Sequence, residues 1–255
     1  MLTIYRVRHA SRAAGLHFGA SLAVAVLAAV LVFWLWYPYP YRELAGGREL
    51  FFLIVMVDVV CGPLLTFILF NPAKSRSELW RDVGLVILIQ AIALGYGLHV
   101  VWQARPVYLV QEVDRFKVIA LPALEMSEVA KLPAGLQPRW IGGPITVAIR
   151  SPRNVQEKNR VLFESVGGGR DYAERAEFYL PYEGEVALKS LERAKALSDF
   201  LRKQPSQQAA VNDLISKKKL LFDELKYLPV VGRQDWVAVL DSNGMVQGFL
   251  KGDGF

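Results

Sequence analysis

Residues 16–37, LHFGASLAVAVLAAVLVFWLWY, carry no Asp, Glu, Lys or Arg. At a rise of about 1.5 Å per residue, a helix of this run reaches roughly 33 Å, enough to cross a hydrocarbon core of about 30 Å. Arg6, Arg8 and Arg12 precede it, which is also how a cleaved secretory leader begins. A leader's apolar core, however, is about 7–15 residues and ends in small residues. This run is longer and closes on Phe33, Trp34, Trp36 and Tyr37, with Tyr39 and Tyr41 just beyond, an aromatic belt suited to a membrane interface. It is read as a retained span. A second apolar run covers 50–70, charged only at Asp58, and a third covers 83–104, interrupted by Gln90 and His99.

Outside these runs the composition changes. The 255 residues are 53% hydrophobic with a formal charge of +6. Only 8 Lys+Arg and 5 Asp+Glu precede Arg105, whereas 22 and 19 follow from it, so each part carries +3. The expected organisation is a three-helix transmembrane domain over 1–104 and a soluble domain over 105–255. A nucleic-acid binder gathers its surplus into a basic stripe. Here the charges are interleaved, and Lys217, Lys218 and Lys219 form the longest basic run, read as a solvated helix face. Cys61 is the single cysteine, and His9, His17 and His99 are the histidines, so the soluble domain holds neither type. The usual zinc sites and Ser-His-Asp or Cys-His systems therefore have no ligands or base there. No catalytic, cofactor or metal residues are assigned.

Basic residues set the expected orientation. The N-terminal tail has three arginines, the loop over 38–49 has Arg42 and Arg48, and the loop over 71–82 has Lys74, Arg76 and Arg81. The bias is shallow but consistent in sign. It puts the N-terminus and second loop in the cytoplasm, and the first loop and C-terminal domain outside, which in a bacterium is the periplasm.

A carboxylate about eight residues into a span is costly unless paired, protonated or hydrated. Asp58 therefore has two open readings: a docking or proton site for a partner membrane helix, or a hydrogen bond within the bundle. Counting in from the outer ends places Tyr96 near its depth and His99 about a turn shallower, as candidate partners. Pro63, after Gly62, removes one backbone bond and is expected to kink the second span. Gly15 and Gly19 form a small-xxx-small pair, a pattern common in spans whether or not it marks a helix contact.

The first loop continues the aromatic belt as W36-Y-P-Y-P-Y-R-E-L-A-G-G-R-E-L50. Pro38 and Pro40 stiffen the exit of the first helix and favour extended backbone. Tyr37, Tyr39 and Tyr41 are expected at headgroup level, and Gly46-Gly47 permits a tight return. This string, then VDVVCGPLLTFILFNPAKS in the second span and the exit Arg105-Pro106-Val107-Tyr108, resembles the type IV pilin accessory protein family (the TfpX/TfpZ group). The resemblance covers the three-span block closely and the rest through length and order of elements. It implies a non-catalytic bacterial inner-membrane protein that supports assembly of a cognate type IV pilin, and it carries over no binding residues. The candidate contact residues, Asp58, Pro63, Tyr96 and His99 in the membrane and Tyr37–Tyr41 in the loop, rest on the physical reading.

Beyond Arg105 the pattern is mixed. Strands are expected at 107–113 and 116–122 joined by a turn at Asp114-Arg115, at 145–150, and at 227–233, 235–241 and 245–251, with Asn243-Gly244 turning the last pair. Helices are expected around 123–131, at 153–166 capped by Ser151-Pro152, at 184–203 and at 207–218. These predict a soluble α+β domain with a mostly antiparallel sheet. Gly167-Gly168-Gly169-Arg170 lacks phosphate-loop spacing and follows a helix, so it reads as a helix stop. Glu174 and Glu177 read as solvated acids, and Asp241-Ser242-Asn243-Gly244 as a hairpin turn rather than a calcium loop.

The function expected from all this is a membrane accessory protein that binds a type IV pilin, with the pilus assembly machinery and the lipid bilayer as further partners and no nucleic acid. The alternatives are a membrane enzyme built on Asp58 and a periplasmic ligand sensor, whose cytoplasmic segments of about a dozen residues are too short for an output domain.

Overall fold

The computed structural model of the chain describes residues 2–255. They form two compact units: one up to Tyr37 together with Gly46–Ala104, the other Pro38–Ala45 together with Arg105–Phe255. Helix α1, Leu2–Val30, continues into a π-helical turn over Leu31–Trp36. The short helix α2, Tyr41–Leu44, belongs to the second unit. Helices α3, Gly47–Leu69, and α4, Arg76–Gln103, complete the first.

In the helical unit α3 is the middle helix and packs on both α1 and α4. Three helices, Ile4–Trp36, Gly47–Leu69 and Arg76–Gln103, are long and apolar enough to cross a membrane. Their outward positions carry Leu22, Leu27, Phe52, Leu53, Leu88 and Ile89, all exposed. Such a surface is unfavourable in water and natural against lipid, where internal backbone hydrogen bonds are what a span must supply. Arg6 donates to the Ile68 carbonyl in the last turn of α3 at 3.1 Å, a cation on the open carbonyls of a helix C-terminus. Ser75 and Glu78 form a reciprocal capping box that starts α4. Gly97 brings α4 onto α3, because a Cβ there would stand 2.6 Å from Ile54 Cγ2. Gly15 and Gly19 meet nothing within 4 Å, so they mark no contact among the described residues.

The second unit is a sheet with helices on its faces. Its strands are β1 (Pro106–Glu112), β2 (Arg115–Ala120), β3 (Ile145–Ile149), β4 (Tyr179–Pro181), β5 (Lys195–Ala196), β6 (Lys226–Val231), β7 (Trp236–Leu240) and β8 (Val246–Lys251). The order is β4-β3-β1-β2-β6-β7-β8, with β5 also on β6. The expectation of a mostly antiparallel sheet is corrected: the sheet is mixed. β1 pairs parallel with β3, Tyr108 opposite Ile145, and β2 pairs parallel with β6, Phe116 opposite Val230. Between each pair the chain travels through helical segments, and such crossovers return a strand in the same direction. The intervening helices are α5 (Met126–Val129), α6 (Val155–Val166), α7 (Gly184–Ser190), α8 (Leu197–Lys203) and α9 (Gln208–Lys218).

Alternation along β7 builds the core on both faces. Trp236, Ala238 and Leu240 join Leu109, Phe116 and Leu228 on one side, while Val237 and Val239 join Phe200, Val211 and Leu250 on the other. The helix expected over 184–203 is two helices, because Lys195-Ala196 leaves the helical path to pair with β6. The α6 helix starts on Asn154, whose side chain accepts the Glu157 amide at 2.8 Å. Arg150 grips Glu157 with two 2.9 Å bonds. Together with the Arg153 amide it holds the Glu157 carboxyl at about 2, against an ordinary 4.5. A depressed acid contributes stability that is complete above about pH 4.5 and lost as pH falls through about 2. Acid unfolding followed by far-UV circular dichroism should therefore show a shallower stability loss between those values in Glu157→Gln than in the parent chain. Identical slopes would contradict it.

Candidate functional site

Asp58 lies on α3 eleven residues past Gly47, and Gln90 lies on α4 thirteen residues before Gln103. In antiparallel neighbours this sets the two at matching depth. Gln90 Nε2 donates to Asp58 Oδ1 at 2.9 Å and to the Asp58 carbonyl at 2.8 Å. The partners considered for Asp58 are elsewhere: Tyr96 is 71% exposed, and His99 stacks on Trp102 at 6.2 Å. Gly62 explains the pairing, since a Cβ there would lie 2.0 Å from Gln90 Nε2. Pro63 follows inside α3. Sequence reasoning noted Gln90 only as an interruption; with the helix ends at Gly47 and Gln103, equal depth would have pointed to it. The Gln90 Oε1 atom is buried and finds no donor among the described residues.

A groove runs beside this pair. One part, about 470 Å³, is lined by Ala13, Leu16 and His17 of α1, Thr66 of α3, and Trp80 and Val83 of α4, with their neighbours. The adjoining part, about 220 Å³, has Asp58, Gln90, His17 and Ser21 among its walls. His17 Nδ1 and Thr66 Oγ1 are 2.6 Å apart, and Thr66 is buried. The groove is thus apolar on its sides with a polar floor. Its acidic group, the Asp58 carboxylate, suits a helix that brings a hydrogen-bond donor.

The outer-loop residues divide. Tyr37 is fully buried in the helical unit; its hydroxyl donates to the Val101 carbonyl at 2.9 Å, and its ring fills the space a Cβ on Gly47 would need. Pro38, Tyr39, Pro40 and Tyr41 belong to the second unit. Tyr41 and Leu44 are buried with Trp236 and Leu240, and the Tyr41 ring meets Phe249 edge-on at 5.6 Å. Leu44 also accepts the Arg233 amide at 2.7 Å. Burial pushes the Tyr41 hydroxyl pKa upward. Tyr39 stays exposed, its ring 5.9 Å from Trp236 with Arg42 over it. The headgroup placement expected of these tyrosines does not describe Tyr37 or Tyr41, because a protein core takes their rings instead.

The soluble unit's other polar motifs are structural. Gly167 and Gly169 donate to carbonyls of α6, and Arg170 makes a two-pronged pair with Glu128. Glu174 pairs with Lys117 and Glu177 with Arg160, from separate 3-10 turns. Asp241 Oδ1 accepts the Asn243 and Met245 amides and closes the β7–β8 turn. Among the described residues, no three His, Cys, Asp or Glu side chains gather as metal ligands would.

Comparison with known proteins falls on the same parts of the chain. Residues 5–46, which hold most of α1, the π turn and the aromatic loop, match the model described as fimbrial assembly protein FimB. The fimbrial assembly protein of serogroup I from Dichelobacter nodosus is 36% identical over 98% of both chains. That of serogroup E1 from the same organism is 35% identical over 98% of both chains. The protein of serogroups C1 and C2 is 44% identical over 49% of this chain and 95% of its own. No solved structure matches. With the helices, the loop and the soluble unit all within those full-length alignments, the chain belongs to the fimbrial assembly protein family.

Proposed function

We propose that this protein is a non-catalytic membrane accessory factor in fimbrial assembly, and that it binds the type IV pilin subunit through the groove floored by Asp58 and Gln90. The observation that carries the reading is that groove: three apolar helices leave an open channel with the Asp58 carboxylate in its wall at span depth, in a chain whose relatives are named for fimbrial assembly. An apolar helix from the subunit fits its sides, and a donor on that helix would relieve the cost of a carboxylate in the membrane. In this reading the spans lie in the bacterial inner membrane with Arg6, Arg8 and Arg12 in the cytoplasm, and the unit containing Arg105–Phe255 faces the periplasm, near the subunit's head. The positive-inside bias supports that orientation.

Asp58→Ala should lower recovery of the subunit co-purified from membranes about tenfold, in line with the loss of one charge-assisted contact. Undiminished recovery, with the variant inserted at parent levels, would sink the assignment of Asp58. A membrane enzyme built on Asp58 would instead lose a lipid or peptidoglycan product with fimbriae intact.

A further inference from the structure

Strand β8 ends the sheet on one side and β4 on the other. The two edges are treated differently. β4 has three residues and closes on Pro181, which protects an edge from further pairing. β8 has six residues, no proline and one charge, Lys251. The Gly252 amide donates to Asp235, inward toward the preceding strand. By alternation, the N–H and C=O groups of Phe249 and Lys251 face away from β7. Phe249 lies in the floor of a cleft of about 460 Å³ formed by 246–250, with Leu214 and Lys218 of α9 and Tyr39 and Pro40 also lining it, and Lys251 follows directly beyond that floor.

Asp213, Lys217 and Lys218 line this cleft, which leaves it a net positive charge. Lys217 holds Asp213 at 2.8 Å, Lys218 reaches the neutral Gln247 at 3.3 Å, and Lys219 and Lys251, next in sequence to α9 and to the cleft floor, are exposed. A second copy of β8 laid on this edge would bring lysines against lysines, which disfavours self-pairing. We propose that the β8 edge is a docking site for an extended segment of a partner protein bearing acidic side chains, which adds as a further strand between α9 and the Tyr39-Pro40 wall. The backbone ladder supplies affinity and the lysines select the charge. This site lies wholly within the soluble unit and does not depend on the membrane groove.

The test uses the full chain in detergent and a fluorescent peptide of alternating valine and glutamate, about eight residues long, with a lysine-for-glutamate version beside it. The glutamate peptide should bind about tenfold more tightly than the lysine peptide by fluorescence anisotropy. Lys251→Pro removes one outward N–H and should weaken the glutamate peptide about tenfold, whereas Lys251→Gln keeps the amide and should weaken it by only about twofold. Lys217→Glu combined with Lys218→Glu, on the outer surface of α9, should reverse the preference between the two peptides. Failure of the glutamate peptide to bind, equal binding of both peptides, or an unchanged preference in the charge-reversed chain would each overturn the proposal. So would a β8-dependent dimer in analytical ultracentrifugation, which would make the occupant a second copy.

Discussion

Tyr41→Ala is expected to lower the stability of the soluble unit by about 3–5 kcal/mol, the usual cost of truncating a large buried ring. Tyr41 is 9% exposed and lies among Leu44, Leu228, Trp236 and Leu240, with its ring against Phe249. In sequence it sits in a short loop between two apolar helices, more than sixty residues before the first strand of the sheet whose core it fills. The loss would appear as an earlier thermal transition of Trp236 fluorescence in the detergent-solubilised chain, with the helical signal of the spans retained. Tyr39→Ala is the control, since Tyr39 is 60% exposed and its removal should change the same transition little. Equal effects from the two substitutions would show that the loop contributes nothing through burial.

How far the sequence reveals this architecture depends on which forces set each element. The three long helices are legible because uninterrupted apolar length is a local property, and each expected span lies largely within one of the observed helices. The strands over 106–120 and 226–251 are legible for the same kind of reason, through period-2 patterns and tight turns at Asp114 and Asn243-Gly244. The mixed pairing is not, because the sequence of β1 does not record that β3 returns beside it in the same direction. Nor is β4, three residues whose strand form comes from pairing Leu180 with Ala148. The break at Lys195-Ala196 is a tertiary override of a helical pattern that otherwise continues to Lys203.

The candidate site was half legible. Asp58 stands out because an acid in an apolar run is expensive, and it does line the groove. Its partner was obscured because the apolar run of the second span starts at 50, three residues after Gly47, which moves the depth match outward along α4 to Tyr96. Gly62 was visible only as the neighbour of Pro63, although its role is to leave room for the Gln90 amide. The loop tyrosines look interfacial by composition, and only the folded chain shows that Tyr41 is a core residue.

Gly62→Val should have the largest effect on the proposed activity. A Cβ at 62 would stand 2.0 Å from Gln90 Nε2 and 2.3 Å from Gln90 Cδ, so the amide must leave. Both of its bonds to Asp58 go with it. Asp58 is then left without its donor in an apolar layer, at a cost of about 1–3 kcal/mol or more. The cost should shrink in a Gln90→Ala background, where nothing remains to clash, and that non-additivity identifies the contact. Subunit capture is expected to fail in Gly62→Val although the protein still reaches the membrane.

The central claim, that an apolar helix of the fimbrial subunit lies in the groove beside Asp58, is tested most directly by photo-crosslinking in intact membranes. A benzophenone side chain is placed at Ala20, which lines both parts of the groove, or at Leu27, which is 71% exposed and lines neither. The account predicts a crosslink from Ala20 to the subunit's apolar helix, lost in Gly62→Val and not seen from Leu27. Equal crosslinking from both positions, or none from Ala20 in cells that assemble fimbriae normally, would contradict it.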